Sequence, residues 1–321
     1  LITVATFGIS AAANKASKIK LFTSEQYYKC FCSQAGWSGF FVNLFILHKI
    51  VNNNVFAKTF GRIWISRGVA HCLESLMFIF FIGPVAVIDP TIFIKPLPQR
   101  VLHLIYLFKA VIIMTNLLIA VNRTVMVCRP LIYRAIFTYG ATIWLIALTW
   151  VCGITFTIPN VIDPCHQTPL NSSTSYYVQN GCPIALYLYD VIPPVVLNTA
   201  TLIANVLSLH KLYTLPLERH ALSCSDRSRR AREIRMCYMI VTEVVIGILM
   251  IFSTRCGFLL ESKFLSFLST TFAWSMWSAV DGAIVMIFNR EMHKWNRVKN
   301  NASSCRRVTV APVHDNWVTV K

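Results

Sequence analysis

The chain has 321 residues, of which 55% are hydrophobic and 13% charged, and its mean hydropathy is +0.57. The charged share is about half that of an ordinary soluble domain, too little to cover one or two water-soluble cores of this length. The formal charge of +17 rests on 30 Lys and Arg against 13 Asp and Glu. These basic residues lie between apolar segments, which points to a membrane surface and away from nucleic acid.

Residues 1–13 are apolar but too few to span a bilayer, which takes about 20 residues. They are read as the tail of a signal peptide or of a truncated first helix. Apolar segments of near-spanning length then recur at 33–50, 68–88, 101–121, 140–159, 184–209, 236–260 and 264–288. The predicted fold is therefore all-α, a seven-helix transmembrane bundle over 33–300. An N-terminal segment, 1–32, precedes it and a tail, 301–321, follows. Pro84, Pro159, Pro193 and Pro194 lie in or at the ends of these helices, where proline bends or stops them.

The breaks between segments orient the chain. The first carries Lys49, Lys58, Arg62 and Arg67, and the third carries Arg123, Arg129 and Arg134. Residues 211–235 add seven basic residues and the tail seven more. The opposite breaks hold only Lys95, Arg100 and Lys263. By the positive-inside rule the N-terminus is outside and the C-terminus cytosolic. The 160–183 loop then faces outward. There Asn171, followed by Ser172 and Ser173, is a glycosylation acceptor, and Cys165 and Cys182 bracket a possible disulfide, the alternative being two free thiols. The cysteines within apolar stretches read as small buried hydrophobes, and no metal-ligand spacing stands out.

No phosphate-binding loop, dinucleotide fingerprint, zinc-protease motif or nucleophile elbow occurs, so no enzyme and no cofactor is expected. Ionisable groups inside the spans carry the information, because they are expensive in lipid. Glu74, Glu243 and Asp281 each fall six or seven residues from the cytosolic end of their segments, so they are expected at one depth of about 10 Å. Glu74 and Asp281 are expected to face each other, with His71 one turn below Glu74 and Asn43 nearby. This polar cluster is either a structural hydrogen-bond network or a site for a cation, a proton or water. Nearer the outside, Lys109 and Asp190 have matching depths and can pair. Arg255 either joins Lys109 in a pocket for an anionic or hydrogen-bonding ligand or snorkels to the surface. Trp274 and Trp277 either wall that pocket or simply pack. At the cytosolic end of the third helix stand Asn122 and Arg123, followed by Pro130, Leu131 and Tyr133. An arginine at this boundary can pair with an acid in a resting state and be freed on activation, and Glu233 is the candidate partner.

NRTVMVCRPLIY (122–133) resembles the Asp-Arg-Tyr…Pro-Leu-x-Tyr element of rhodopsin-like receptors, with Asn for Asp and Thr for Tyr. Together with FLSTTFAWSMWSAVDGAIVMIFNREMHKW (267–295) and FGRIWISRGVAH (60–71), it is similar to the nematode serpentine chemoreceptors of the Srx class. The resemblance implies a G-protein-coupled chemosensory receptor in the plasma membrane, of sensory-neuron cilia. Its partners would be a small-molecule ligand, a heterotrimeric G protein and membrane lipids. It places Asn122 and Arg123 at the G-protein-facing switch and Asp281 and Gly282 at the seventh-helix motif. This motif has Asp-Gly where rhodopsin-like receptors have Asn-Pro, and the top of the third helix has no cysteine. Any outer disulfide is then within the loop. Residues 290–299 are expected to form an amphipathic helix along the membrane, with Cys305 a lipidation site. The alternative function is an ion channel or transporter using the acidic layer, although no inverted repeat is visible.

Overall fold

The computed structural model describes residues 33–52, 56, 58–82, 84, 96–162, 167–168, 178–179, 191–214, 224–257, 260 and 262–289. The expected features at Cys165, Asn171, Cys182, Asp190, 290–299 and Cys305 lie outside these residues.

Among the described residues, seven long helical segments form one bundle. They are α1 (33–52), α2 (Lys58–Met77, continued by a π-helical turn at Phe78–Ile82), α3 (Pro96–Cys128), α5 (Tyr139–Ile162), α6 (Ile192–Thr214), α7 (Cys224–Gly257) and a seventh. The seventh runs through α8 (Lys263–Phe267), a π turn at Leu268–Phe272 and α9 (Ala273–Phe288). A short helix, α4 (Pro130–Ile136), links α3 to α5 and begins at Pro130, where the missing N–H is no loss. Two-residue strands, β1 (Gln167–Thr168) and β2 (Val178–Gln179), pair antiparallel in the α5–α6 connection. Among the described residues, six helices are long and apolar enough to cross a bilayer.

α3 packs against α2, α5 and α6; α6 meets α7, and α7 and α2 both meet α9. A large apolar core fills the half of the bundle near Arg123, built on Phe60, Ile63, Trp64, Ile119, Met239, Ile240 and Val285. A smaller cluster of Phe78, Ile82 and Ile105 lies toward the other end, against Trp274. The outward faces of α5 and α6 are apolar, with Trp144 77% exposed, as lipid-facing surfaces require.

Small residues let backbones approach, since helices in lipid associate by packing and hydrogen bonds more than by hydrophobic burial. Asn43 of α1 donates to the Ser278 carbonyl of α9 at 3.0 Å, and Ser75 of α2 donates to Ser278 Oγ at 3.0 Å. Gly39 makes this three-helix contact possible: a Cβ there would stand 2.9 Å from Ser75 Oγ and 3.1 Å from Ser278 Cβ. Gly39→Ala is therefore expected to destabilise the bundle by about 1–3 kcal/mol, as overpacking does. Thermal denaturation of the purified chain reads this as a lower midpoint, and an unchanged midpoint would rule out the close approach.

Several boundaries differ from the sequence expectation: α7 begins at Cys224, before the expected 236, and α3 runs on to Cys128, past the expected 121. The second helix begins at Lys58, ten residues before the expected 68, so Arg62 and Arg67 are helical and not loop residues. Arg62 lies over the Tyr139 ring at 3.6 Å, and Arg67 is 2% exposed with carboxylate partners. Arg67 thus drops out of the loop charges that orient the chain. Glu243 and Asp281 both meet Arg67, and Glu74 lies seven residues further along α2.

Candidate functional site

Two buried polar assemblies occupy the bundle. The first is an ionic junction of α2, α7 and α9. One helical turn separates Arg67 from His71 and nearly another separates His71 from Glu74, so the three share one face of α2. Arg67 donates to Glu243 Oε2 of α7 at 2.9 Å and to Asp281 Oδ1 of α9 at 2.5 Å. His71 Nε2 lies 3.0 Å from Asp281 Oδ2, and His71 Nδ1 lies 3.7 Å from Glu74 Oε2. The Trp274 indole N–H donates to Glu74 Oε1 at 3.3 Å. The Arg67 guanidinium also lies over the Trp64 ring at 4.6 Å. Each of the five ionisable side chains is 1–2% exposed. One terminal nitrogen of the guanidinium thus meets two carboxylates on different helices while the planar group stacks on an indole.

The structure brings His71, Glu74, Glu243 and Asp281 together, but Asp281 meets His71 and Arg67 where Glu74 was the expected neighbour. Asn43 lies at the edge of the junction through Ser278, whose hydroxyl donates to the His71 carbonyl at 3.4 Å. Gly282 admits α1, for a Cβ there would lie 2.5 Å from Val42 Cγ1.

Toward the α5–α6 hairpin, Lys109 Nζ lies 5.3 Å from the Trp274 ring centroid. Tyr106 and Phe78 meet the same indole at 5.3 and 5.8 Å. Lys109 therefore points into the bundle, and the same indole serves it with its face and Glu74 with its N–H. Trp277 packs on Gly247 of α7, where a Cβ would come within 2.7 Å of its ring. Arg255 lies on α7.

The second assembly closes the opposite end. Arg123 of α3 donates to Glu233 Oε2 of α7 at 2.9 Å and to the sulfur of Met236, and its guanidinium lies over the Phe60 ring at 4.5 Å. Arg123 is 3% exposed and Glu233 14%. Asn122 is buried beside it. Tyr133 stacks on Phe137 at 5.2 Å. Next to this pair, α4 buries none of its residues and holds Leu131 83% exposed.

Two features escaped the sequence reading. Arg67, the centre of the first assembly, was assigned to a loop. A polar stripe on α6, formed by Asn198, Thr201, Asn205 and Ser208, is wholly buried. Thr124 of α3 hydrogen-bonds there to Ser208 Oγ and the Ala204 carbonyl, both at 2.9 Å. Its spacing of three and four residues was the available signal.

Comparison with known proteins agrees with this architecture. Residues 34–289 match the family described as serpentine type 7TM GPCR chemoreceptor Srx. The chain is also similar to serpentine receptor class X 45 of Caenorhabditis elegans, with 24% identity over 277 residues, 79% of this chain and 76% of that one. A seven-helix bundle with a buried arginine at the end of its third helix, matched to this family over most of its length, belongs to the Srx serpentine chemoreceptors, as a multi-pass membrane protein.

Proposed function

We propose that the protein is a G-protein-coupled chemosensory receptor of the plasma membrane that binds an extracellular small-molecule cue and activates a heterotrimeric G protein. The observation that carries this reading is the Arg123–Glu233 ion pair, which ties α3 to α7 beside an exposed apolar helix. A buried arginine whose acid partner sits on another helix is a two-state element: separating the helices frees the cation and opens the end of the bundle. Leu131, Ile132 and Ile136, interleaved with exposed Arg129 and Arg134, supply an apolar surface with basic neighbours there. The cue would enter from the opposite end, toward Lys109, Tyr106 and Trp274, where the ammonium favours an anionic or strongly hydrogen-bonding group. The acidic layer that a conducting path would need is bridged by Arg67, which argues against the channel reading.

This reading requires the Arg123 end in the cytosol. The test is a topology map with a reporter at the C-terminus and glycosylation scored at Asn171, with Asn171→Gln as control. A cytosolic reporter with a glycan lost in the control is expected. A C-terminus outside the cell would overturn the receptor reading.

A further inference from the structure

The ionic junction does not balance its charge. Three carboxylates, Glu74, Glu243 and Asp281, meet one guanidinium, Arg67, and one imidazole, His71, in a single connected set. With the charges these groups carry in water at neutral pH and a neutral imidazole, the set would hold a net charge of minus two. With a charged imidazole it would still hold minus one. A net charge with 1–2% exposure at the centre of a membrane bundle is strongly penalised, so compensating positive charge has to come from somewhere.

Among the described residues, the ion pairs of the junction include no further cation. From α1, Asn43 reaches the edge of the junction, and from α9, Ser278; neither titrates. Lys109 of α3 lies over the Trp274 ring and makes no ion pair with Glu74, Glu243 or Asp281. Among the described residues no set of three or more His, Cys, Asp or Glu is placed to hold a metal ion, and the Arg67 guanidinium already stands between Glu243 and Asp281.

We infer that the α2–α7–α9 junction is a proton-binding site that takes up two protons, shared among His71, Glu74, Glu243 and Asp281, in the closed bundle. No bond other than those to the protons is made or broken. Each proton arrives from water and returns to it. Because Arg67 and His71 belong to α2 and Glu243 to α7, moving α7 away from α2 lets water in, and hydrated carboxylates need no such protons. The sign follows: the closed state binds more protons than the open one. It gains as pH falls and loses as pH rises, by up to about tenfold per pH unit for each proton released.

The test uses the full chain in lipid nanodiscs, with infrared absorption of the carboxylic acid C=O group, which is resolved from that of the carboxylate. It needs neither agonist nor G protein, so its outcome is independent of the receptor reading. His71 can accept only one of the two protons, so at least one acid group carries the other. The wild type is expected to show a carboxylic acid band at neutral pH. At least one of Glu74→Gln, Glu243→Gln and Asp281→Asn should lose it. These near-isosteric changes each leave Arg67 at least one carboxylate, and Glu74→Gln leaves both. Three results would overturn the proposal: no acid band in the wild type, a band that all three variants retain in full, or a band set by sodium concentration at fixed pH.

Discussion

Replacing Arg67 by methionine is expected to abolish most of the folded protein. Methionine keeps much of the length and apolar stem of arginine but leaves Glu243 and Asp281 facing each other inside the bundle without their shared cation. Removing one partner of a buried ion pair costs about 3–5 kcal/mol, because the other charge stays desolvated. Against a total stability of about 5–15 kcal/mol this decides whether the chain folds. The yield of monodisperse protein and its thermal midpoint should both fall sharply. Adding Glu243→Gln and Asp281→Asn to Arg67→Met should restore much of the loss, since no uncompensated charge then remains at those positions. Arg67→Lys should fall between, because it keeps the cation but loses the planar guanidinium that lies over the Trp64 ring. Wild-type yield and midpoint in Arg67→Met would contradict the ionic junction.

Glu233→Gln is expected to have the opposite character, changing activity far more than stability. The glutamine preserves shape and can still accept one hydrogen bond, but the charge attraction to Arg123 is gone. Glu233 is 14% exposed, so water relieves part of the cost. A hydrogen bond to a charged group is worth about 1.5–3 kcal/mol. Losing about 1.4 kcal/mol from the closed state alone raises the open population tenfold. Receptor-catalysed guanine-nucleotide exchange without agonist should rise by about that factor, whereas the thermal midpoint should change little.

Much of this architecture was legible from the order of residues. Segment lengths near 20 residues fix the number of helices, because a bilayer core sets the required length. Counting residues inward from the ends of the apolar segments put Glu243 and Asp281 at one depth, and both meet Arg67. Arg67 was not legible for the reason that made the loops readable. Arginines between apolar segments ordinarily sit in water, and the two acids that draw this one inward are 176 and 214 residues away in sequence. Once it is neutralised there, the helix extends back to Lys58. Asn43 was placed near the cluster on depth, but its partner Ser278 has no distinguishing feature in sequence. That contact depends on Gly39, whose missing side chain admits α1.

Lys109 illustrates the same limit. Its depth could be counted, whereas the indole it faces depends on how α9 is rotated, and the π turn at Leu268–Phe272 directly precedes α9. The Arg123–Glu233 contact spans 110 residues and was nevertheless expected, because both residues stand at the same-side ends of their apolar segments.

The central claim is that the Arg123 end of the bundle is a G-protein switch held shut by Glu233. The most direct measurement is guanine-nucleotide exchange on a panel of purified heterotrimeric G proteins, in membranes carrying equal amounts of wild type, Glu233→Gln or Arg123→Ala. The account predicts agonist-independent exchange on at least one G protein that rises about tenfold in Glu233→Gln and is lost in Arg123→Ala. Exchange indistinguishable from receptor-free membranes for all three forms, on every G protein of the panel, would contradict it.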